Sequence, residues 1–422
     1  MKNLSKKTWF NIVLFGLVGQ IAWVVENMYF ATMCQDIYAF AERQDLGYVF
    51  TTIMVIASAI TATVTTFFAG AASDRVGKRK PFISWGYILW GISIMAFAFI
   101  PMHISSSQYI IIGIIIVLLD CIMTVFGSTS NDAAFNAWIT DVTSQSNRGR
   151  VNSILSLLPV FAVMVVFIGL GGLYASSVKS FFIILGIIPL VSGFAGLFLL
   201  EDNSIHGSDI SLGNVFYGFR KDVITQNKAL YITLFAYSLL ATAQQTFFSY
   251  LINFLSVTLG FGEGFVIPMA VILLGSAVIT GILGVMFDKF GRHGFYIPLT
   301  LMVILGTLSF YLVQYSLGAL RMAVIYIGGL VMMSGVFASG ASLQANFQDL
   351  IPKGFEGRFQ GVRMCFTVLI PMILGPIIAL IIGLNNSDTS AVGFAPTYDI
   401  FLAAAVVALL AIIPMLSVKN NK

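Results

Sequence analysis

Glu26 and Asn27 stand side by side in the stretch IAWVVENMYFAT, residues 21–32, which is otherwise almost wholly apolar. Two more acids, Asp120 and Asp132, sit inside a second long apolar stretch. An ionised acid at the centre of a bilayer costs about 2.5–3.5 kcal/mol on insertion scales. Such a residue is therefore neutral, paired, or lining a wet cavity. A carboxyl that can bind a proton on one side of a membrane and release it on the other is what a proton-coupled carrier needs. Glu26, Asp132 and Asp120 are thus the candidate coupling-ion residues. The structural alternative is a protonated Glu26 hydrogen-bonded to a neighbouring helix, since polar side chains also join helices in lipid.

Amides and aromatics accompany these acids. Gln20 and Asn27 are seven residues apart and share a helix face, with Trp23 at its edge. Glu26 lies about 100° round from Asn27. Asp120, Thr124, Gly127 and Asn131 make a second stripe, with Asn136 beyond it. In the second half of the chain Gln244, Gln245, Tyr250 and Asn253 lie on one apolar segment, and Gln344 and Asn346 on another. Amides both donate and accept, and rings stack on sugar faces, so this set suits a polyhydroxylated ligand. Hydrogen bonding between helices is the plainer use of any single amide. His103, His206 and His293 all fall in connections, and Cys34, Cys121 and Cys365 follow no regular spacing. We therefore expect no metal site, no disulfide framework and no cofactor.

The elements that must position these residues follow from composition. Of 422 residues 58% are hydrophobic and 9% charged, with mean hydropathy +0.93. A soluble domain carries roughly 25% charged residues, so the solvent here is mostly lipid. Apolar runs long enough to span a bilayer recur near residues 9–34, 46–70, 82–101, 108–138, 151–175, 179–200, 229–256, 264–287, 294–316, 320–347, 360–385 and 398–418. Strand-type alternation is absent, which excludes a barrel. The N-terminal MKNLSKK precedes an apolar run too long for a signal peptide, with no small-residue cleavage site after it. We read it as a retained first helix.

The 22 Lys and Arg fix an orientation. With both termini in the cytoplasm, only Arg43, Lys179 and Arg321 fall in connections on the far side, as the positive-inside rule requires. The basic residues read as topology determinants, not as a nucleic-acid surface. The longest polar connection, 201–228, separates an N-terminal bundle of six helices (1–200) from a C-terminal one (229–422).

Each half carries the same two polar markers. Gly70, Asp74, Arg75, Gly77, Lys78 and Arg79 follow the second helix. Gly284, Asp288, Lys289, Gly291 and Arg292 follow the eighth at the same spacing. Asp141 with Arg148, Gly149 and Arg150 follows the fourth helix, and Asp349 with Glu356, Gly357 and Arg358 follows the tenth. A parallel repeat of two six-helix halves resembles the major facilitator superfamily, and the G-x-x-x-D-R-x-G-K-R form at 70–79 is similar to that superfamily's best-known motif. The resemblance implies twelve transmembrane helices in two six-helix bundles, an all-α integral membrane protein. It also implies that these loops latch the cytoplasmic side. Asp74 would sit at the N-terminus of the eleventh helix, and Arg75 and Arg79 would pair with acids such as Asp141. An Asp349–Glu356–Arg358 cluster would act likewise.

The stretches GKRKPFI, 77–83, and DAAFNAWITDVT, 132–143, resemble the glycoside–pentoside–hexuronide:cation symporters and the related sucrose-transporter-like branch. That resemblance gives Asp132 a part in sugar and cation binding. Two acids that melibiose-type members carry in the second helix are Thr66 and Ala62 here, so proton coupling fits better than sodium. We expect a secondary carrier working by alternating access, importing a sugar or glycoside with a proton. Its partners are a sugar-like small molecule, a coupling cation and the lipid bilayer, and it works as a monomer in a bacterial plasma membrane. Efflux of drugs or small metabolites is the alternative within the class. A membrane receptor or structural protein would not need the duplicated loops. An enzyme would need a nucleophile–base pair or metal ligands, and an ATP-driven pump a phosphate-binding G-x-x-x-x-G-K-[ST] loop, and the sequence offers neither.

Overall fold

The computed structural model describes residues 4–202, 217–248, 250–251, 254–385 and 397–417. Twelve helical segments run through them. They are α1 (Lys6–Phe40), α2 (Gln44–Val76), α3 (Lys80–Phe99), α4 (Ser106–Val142), α5 (residues 148–176) and α6 (Val178–Leu199) in the first half. The second half holds α7 (Lys228–Phe248), α8 (Val266–Phe290), α9 (His293–Tyr315), α10 (Gly318–Leu350), α11 (residues 356–385) and α12 (Asp399–Ser417). Among the described residues ten helices are long and apolar enough to cross a membrane. The exceptions are α5 and α7. The apolar run of α7 is broken by Gln244 and Gln245. A wide π turn falls at Val165–Leu170 in α5.

Two further π turns fall where the polar residues are. Val25–Phe30 in α1 contains Glu26, and Ser128–Phe135 in α4 contains Asn131 and Asp132. A π turn leaves the regular hydrogen-bond ladder and re-aims side chains, and such turns concentrate at functional sites. Asn136 answers the broken ladder in α4. Its Nδ2 donates to the carbonyl oxygens of Asn131 at 2.9 Å and Asp132 at 3.3 Å.

The chain forms two compact units, and their borders differ from a division at the 201–228 connection. The first unit is Met1–Thr143, Leu158–Arg220 and Pro352–Met364. The second is Ser144–Leu157, Lys221–Ile351 and Cys365–Lys422. The start of α5 thus belongs with the second unit and the start of α11 with the first. The cause is close backbone packing in each. In the first unit a Cβ on Gly70 would collide with the Gly357 carbonyl oxygen, and one on Gly361 would strike the Phe67 ring. In the second, a Cβ on Gly284 would collide with Ser153. Helices α2 and α8 end at the matching glycines Gly77 and Gly291, with φ of +66° and +82°, a backbone region open mainly to glycine.

Candidate functional site

In the first unit Glu26 is buried, and Ser58 of α2 and Thr124 of α4 hold it. The Ser58 hydroxyl donates to Glu26 Oε1, and Thr124 Oγ1 lies 3.2 Å from the same oxygen. Glu26 takes part in no ion pair among the described residues, and its Oε2 is buried with no partner. Asp120, one turn before Thr124, is buried with both carboxyl oxygens unpartnered. The stripe Asp120, Thr124, Gly127, Asn131 is buried along its whole length.

Asp132 is half-buried and differs from the other two. It accepts from Ser128 Oγ at 2.9 Å, and Arg363 of α11 is the cation nearest to it in effect. Arg363 reaches towards the Asp132 backbone carbonyl at 3.5 Å and donates through Nε to Gln360 Oε1 at 2.8 Å. The sequence reading treated Arg363 as a topology charge. In the fold it is half-buried near the start of α11, beside Asp132.

Aromatic and amide groups surround this acidic strip. Trp23 Nε1 donates to Asn131 Oδ1 at 3.3 Å, Asn131 Nδ2 donates to the Tyr87 hydroxyl at 2.7 Å, and that hydroxyl donates to the Phe15 carbonyl at 2.6 Å. The Trp23 and Trp90 rings lie 4.9 Å apart. Gly127 makes room for them, since a Cβ there would come within 2.7 Å of Trp90 and 3.0 Å of Trp23. Gln20 is half-buried. Asn27 is exposed, its Nδ2 donating to the Trp23 carbonyl at 2.7 Å. Asn131 and Asn136 are engaged within the helices.

In the second unit the candidates separate. Gln244, Gln245 and Tyr250 are half-buried, and Asn253 lies outside the described residues. Asn346 Nδ2 donates to Thr233 Oγ1 at 2.9 Å, joining α10 to α7. Gln344 has both side-chain polar atoms buried without a partner. The acids of α1 and α4 have no carboxyl counterpart on α7 or α10 short of Asp349 at the end of α10.

The two polar markers build two charge clusters. In the first unit the Asp74 carboxylate accepts from the backbone N–H of Gly357 at 2.9 Å and of Arg358 at 3.0 Å, at the start of α11. Helix N-termini favour such anions. Arg79 Nη2 lies 2.6 Å from Asp74 Oδ1 as an ion contact rather than an aligned hydrogen bond. Its Nε donates to Asp141 at 3.1 Å and its Nη1 to Ser73 at 2.6 Å. Burial disfavours the Arg79 charge, but the carboxylates of Asp74 and Asp141 more than offset it, so its proton is held more tightly than in water. Arg75 and Lys78 are exposed, and no ion pair among the described residues includes Arg75.

In the second unit Arg148 Nη1 meets Asp349 at 2.6 Å, Arg292 pairs with the other Asp349 oxygen, and Asn152 Nδ2 donates to Gln348 Oε1 at 2.8 Å. The Asp288 side chain lies outside the described set, and Arg150 is exposed. Asp349, Glu356 and Arg358, expected to cluster, fall in different units. Asp349 belongs to the second unit, while Glu356 and Arg358 belong to the first. Arg358 instead lies over the rings of Phe355 and Tyr217, 5.4 and 5.9 Å from their centroids, a cation–π arrangement.

The family model described as Major Facilitator Superfamily matches residues 8–376. The chain belongs to the Major Facilitator Superfamily. It is a multi-pass membrane transporter with the major facilitator fold, and not an enzyme. Among solved structures it is similar to a bacterial homologue of the iron transporter ferroportin, at 14% identity and TM-score 0.76, covering 98% of this chain and 99% of that one. The proton:xylose symporter XylE aligns at 14% identity and TM-score 0.74 over 98% and 96% of the two chains. The human organic anion transporter MFSD10 aligns at 14% and 0.70 over 97% and 99%. No curated protein sequence matches this chain.

Sequence reasoning passed over four side chains that the superfamily member uses here: Ser58, Tyr87, Arg363 and Asp202. Ser58 and Tyr87 are ordinary polar interruptions of apolar runs. Asp202 Oδ1 accepts from the backbone N–H groups of Arg79 and Lys80 at 2.8 Å each, capping the start of α3. Arg363 did carry a signal, since it lies inside the apolar run 360–385.

Proposed function

We propose that this transporter imports a sugar or glycoside together with a proton, by alternating access of its two halves. One observation carries the reading. A buried carboxyl, Glu26, is held by hydroxyls alone, next to a cluster of tryptophans and amides. An acid without a counter-cation is suited to exchange a proton, and the ring-and-amide cluster is suited to a polyhydroxylated ligand. Asp132 with Arg363 takes part in ligand binding or coupling. Trp23, Gln20 and Asn27 are the ligand contacts of the first unit, and Gln244, Gln245, Tyr250 and Gln344 those of the second. The Asp74–Arg79–Asp141 and Arg148–Asp349–Arg292 clusters act as cytoplasmic latches that open once per cycle. The carrier works as a monomer in the plasma membrane with both termini in the cytoplasm.

A second reading, transport of an organic anion outward, draws on Arg363 beside Asp132, because a guanidinium next to a ligand site favours a carboxylate-bearing substrate. The test is direct. Energy-depleted cells expressing the protein receive a panel of mono- and disaccharides, glycosides and uronic acids while external pH is recorded. Substrate-dependent alkalinisation that Glu26→Gln abolishes, with substrate exchange retained, supports the symport. No pH change with any sugar in well-expressed protein refutes it.

A further inference from the structure

The oxygens around Glu26 make more contacts than the hydroxyl hydrogens present can fill. Ser58 Oγ touches Glu26 Oε1, Ser58 Oγ and Thr124 Oγ1 are 3.0 Å apart, Thr124 Oγ1 is 3.2 Å from Glu26 Oε1, and Thr124 Oγ1 is 2.8 Å from the Asp120 carbonyl oxygen. A backbone carbonyl only accepts, so the Thr124 hydrogen goes to Asp120. The Ser58 hydrogen then serves either Glu26 or Thr124. At least one close oxygen–oxygen contact is left to be bridged, and a proton on Glu26 bridges it.

Asp120 sharpens the argument. It is 1% exposed and Glu26 7%, and neither Asp120 oxygen nor Glu26 Oε2 has a partner. A buried carboxylate with no donor and no cation carries a large desolvation cost. Asp120 lies one helical turn before Thr124, whose hydroxyl touches both Glu26 Oε1 and the Asp120 backbone carbonyl. Cys121 follows Asp120 in α4, Asp132 is the next acid along that helix, beside Arg363, and α2 contributes Ser58 here.

We infer that Glu26 and Asp120 form a single proton-binding unit across α1, α2 and α4. Glu26 exchanges the proton through the Ser58 and Thr124 hydroxyls, and the charge left on Glu26 delays release of the Asp120 proton to higher pH. The unit is separate from the Asp132–Arg363 pair. It rests on the proton-coupled reading above for its use in transport, but not for its existence. Two buried, unpartnered carboxyls on residues that one threonine hydroxyl joins titrate as a pair, because the first charge opposes the second.

Infrared spectroscopy of the full-length protein reconstituted in liposomes tests this without any substrate, by following the protonated-carboxyl stretch as pH rises. We expect wild type to lose it in two steps. Glu26→Gln and Asp120→Asn should each leave one step, about one pH unit or more below the second wild-type step, a tenfold or larger change in proton affinity. Asp132→Asn should keep both steps. An Asp120 step that stays at the second wild-type position in Glu26→Gln means independent acids and overturns the inference. Loss of the band when sodium replaces choline at fixed pH means a sodium site and also overturns it. If either carboxyl variant fails to fold, Thr124→Val serves. Removing the oxygen that accepts the Glu26 proton should lower the first step, and an unmoved step overturns the relay. Failure here with substrate-driven alkalinisation intact leaves symport standing, and the reverse leaves the pair standing.

Discussion

Asp74 and Asp120 are buried to almost the same degree, 2% and 1% exposed, in the same unit of the same chain. Their surroundings are opposite. Asp74 receives two backbone N–H groups at the start of α11 and an arginine. Asp120 receives nothing on either oxygen. Burial alone therefore does not tell a structural acid from a working one. A fully partnered carboxylate is a joint, and its charge is fixed. A buried carboxyl with no partner is held in place by its helix and is free to change its charge.

The sharpest way to break this comparison is to remove each side chain in turn. Asp74→Ala strands the buried Arg79 and two helix N–H groups, a class of change that costs about 3–5 kcal/mol. We expect a large fall in the temperature at which the detergent-purified protein stays monodisperse. Asp120→Leu removes no partner and fills a similar volume with apolar atoms, so its midpoint should match or exceed wild type. A Leu variant that melts as early as Asp74→Ala would show that Asp120 is structural after all.

Two glycines sharpen the same contrast through packing. A Cβ on Gly357 would lie 2.4 Å from the Gly70 carbonyl oxygen and 2.7 Å from Asp74 Oδ1, whereas the nearest atom to one on Gly281 is 3.9 Å away. Gly357→Ala pushes the carboxylate off the α11 N-terminus, and overpacking of this kind costs about 1–3 kcal/mol. Gly281→Ala meets open space and gains helix propensity, up to about 1 kcal/mol. Thermal midpoints of the two variants should therefore move in opposite directions. Equal shifts would mean that Asp74 relaxes without losing its donors.

These contrasts also mark how far the sequence could be read. The apolar runs, the charge sidedness and the repeated markers led to an all-helical transporter of this superfamily because lipid and duplication leave strong, local signals. Glu26, Asp120, Asp132 and Asp74 were all visible as acids in unusual places. Their partners were not. Ser58 and Thr124 are unremarkable residues in sequence, and only the packing of α2 and α4 against the widened turn of α1 brings them to Glu26. Arg358 was read as part of a latch cluster and Arg363 as a topology charge. The fold turns one towards an acid and lays the other over two rings. Asp349 and Glu356, seven residues apart, were grouped by the repeated marker. The chain passes from one compact unit to the other between them, and spacing alone does not record that.

The smallest expected effect belongs to a charge pair at the surface. Lys7 pairs with Glu201, their side chains 47% and 75% exposed, and the hydrogen bond and charge of Lys7 hold the Glu201 carboxyl below its ordinary range. Water screens such a pair, and it competes with the entropy of two long side chains. A carboxyl whose proton affinity is lowered by folding adds stability above its unfolded value and loses it as pH falls through the folded one. The contribution of this pair is thus present near neutrality and gone in acid. Lys7→Ala should leave the thermal midpoint at neutral pH within about one degree of wild type, and any small difference should vanish in acid. A large neutral-pH shift would show that exposure misleads here, and that the α1 start depends on Glu201 as firmly as α11 depends on Asp74. The neighbouring contacts argue against that outcome. Asn11 Nδ2 donates to the Leu199 carbonyl at 3.0 Å and Trp138 Nε1 to the Glu201 carbonyl at 3.3 Å, so this end of α6 stays tied down when the lysine is gone.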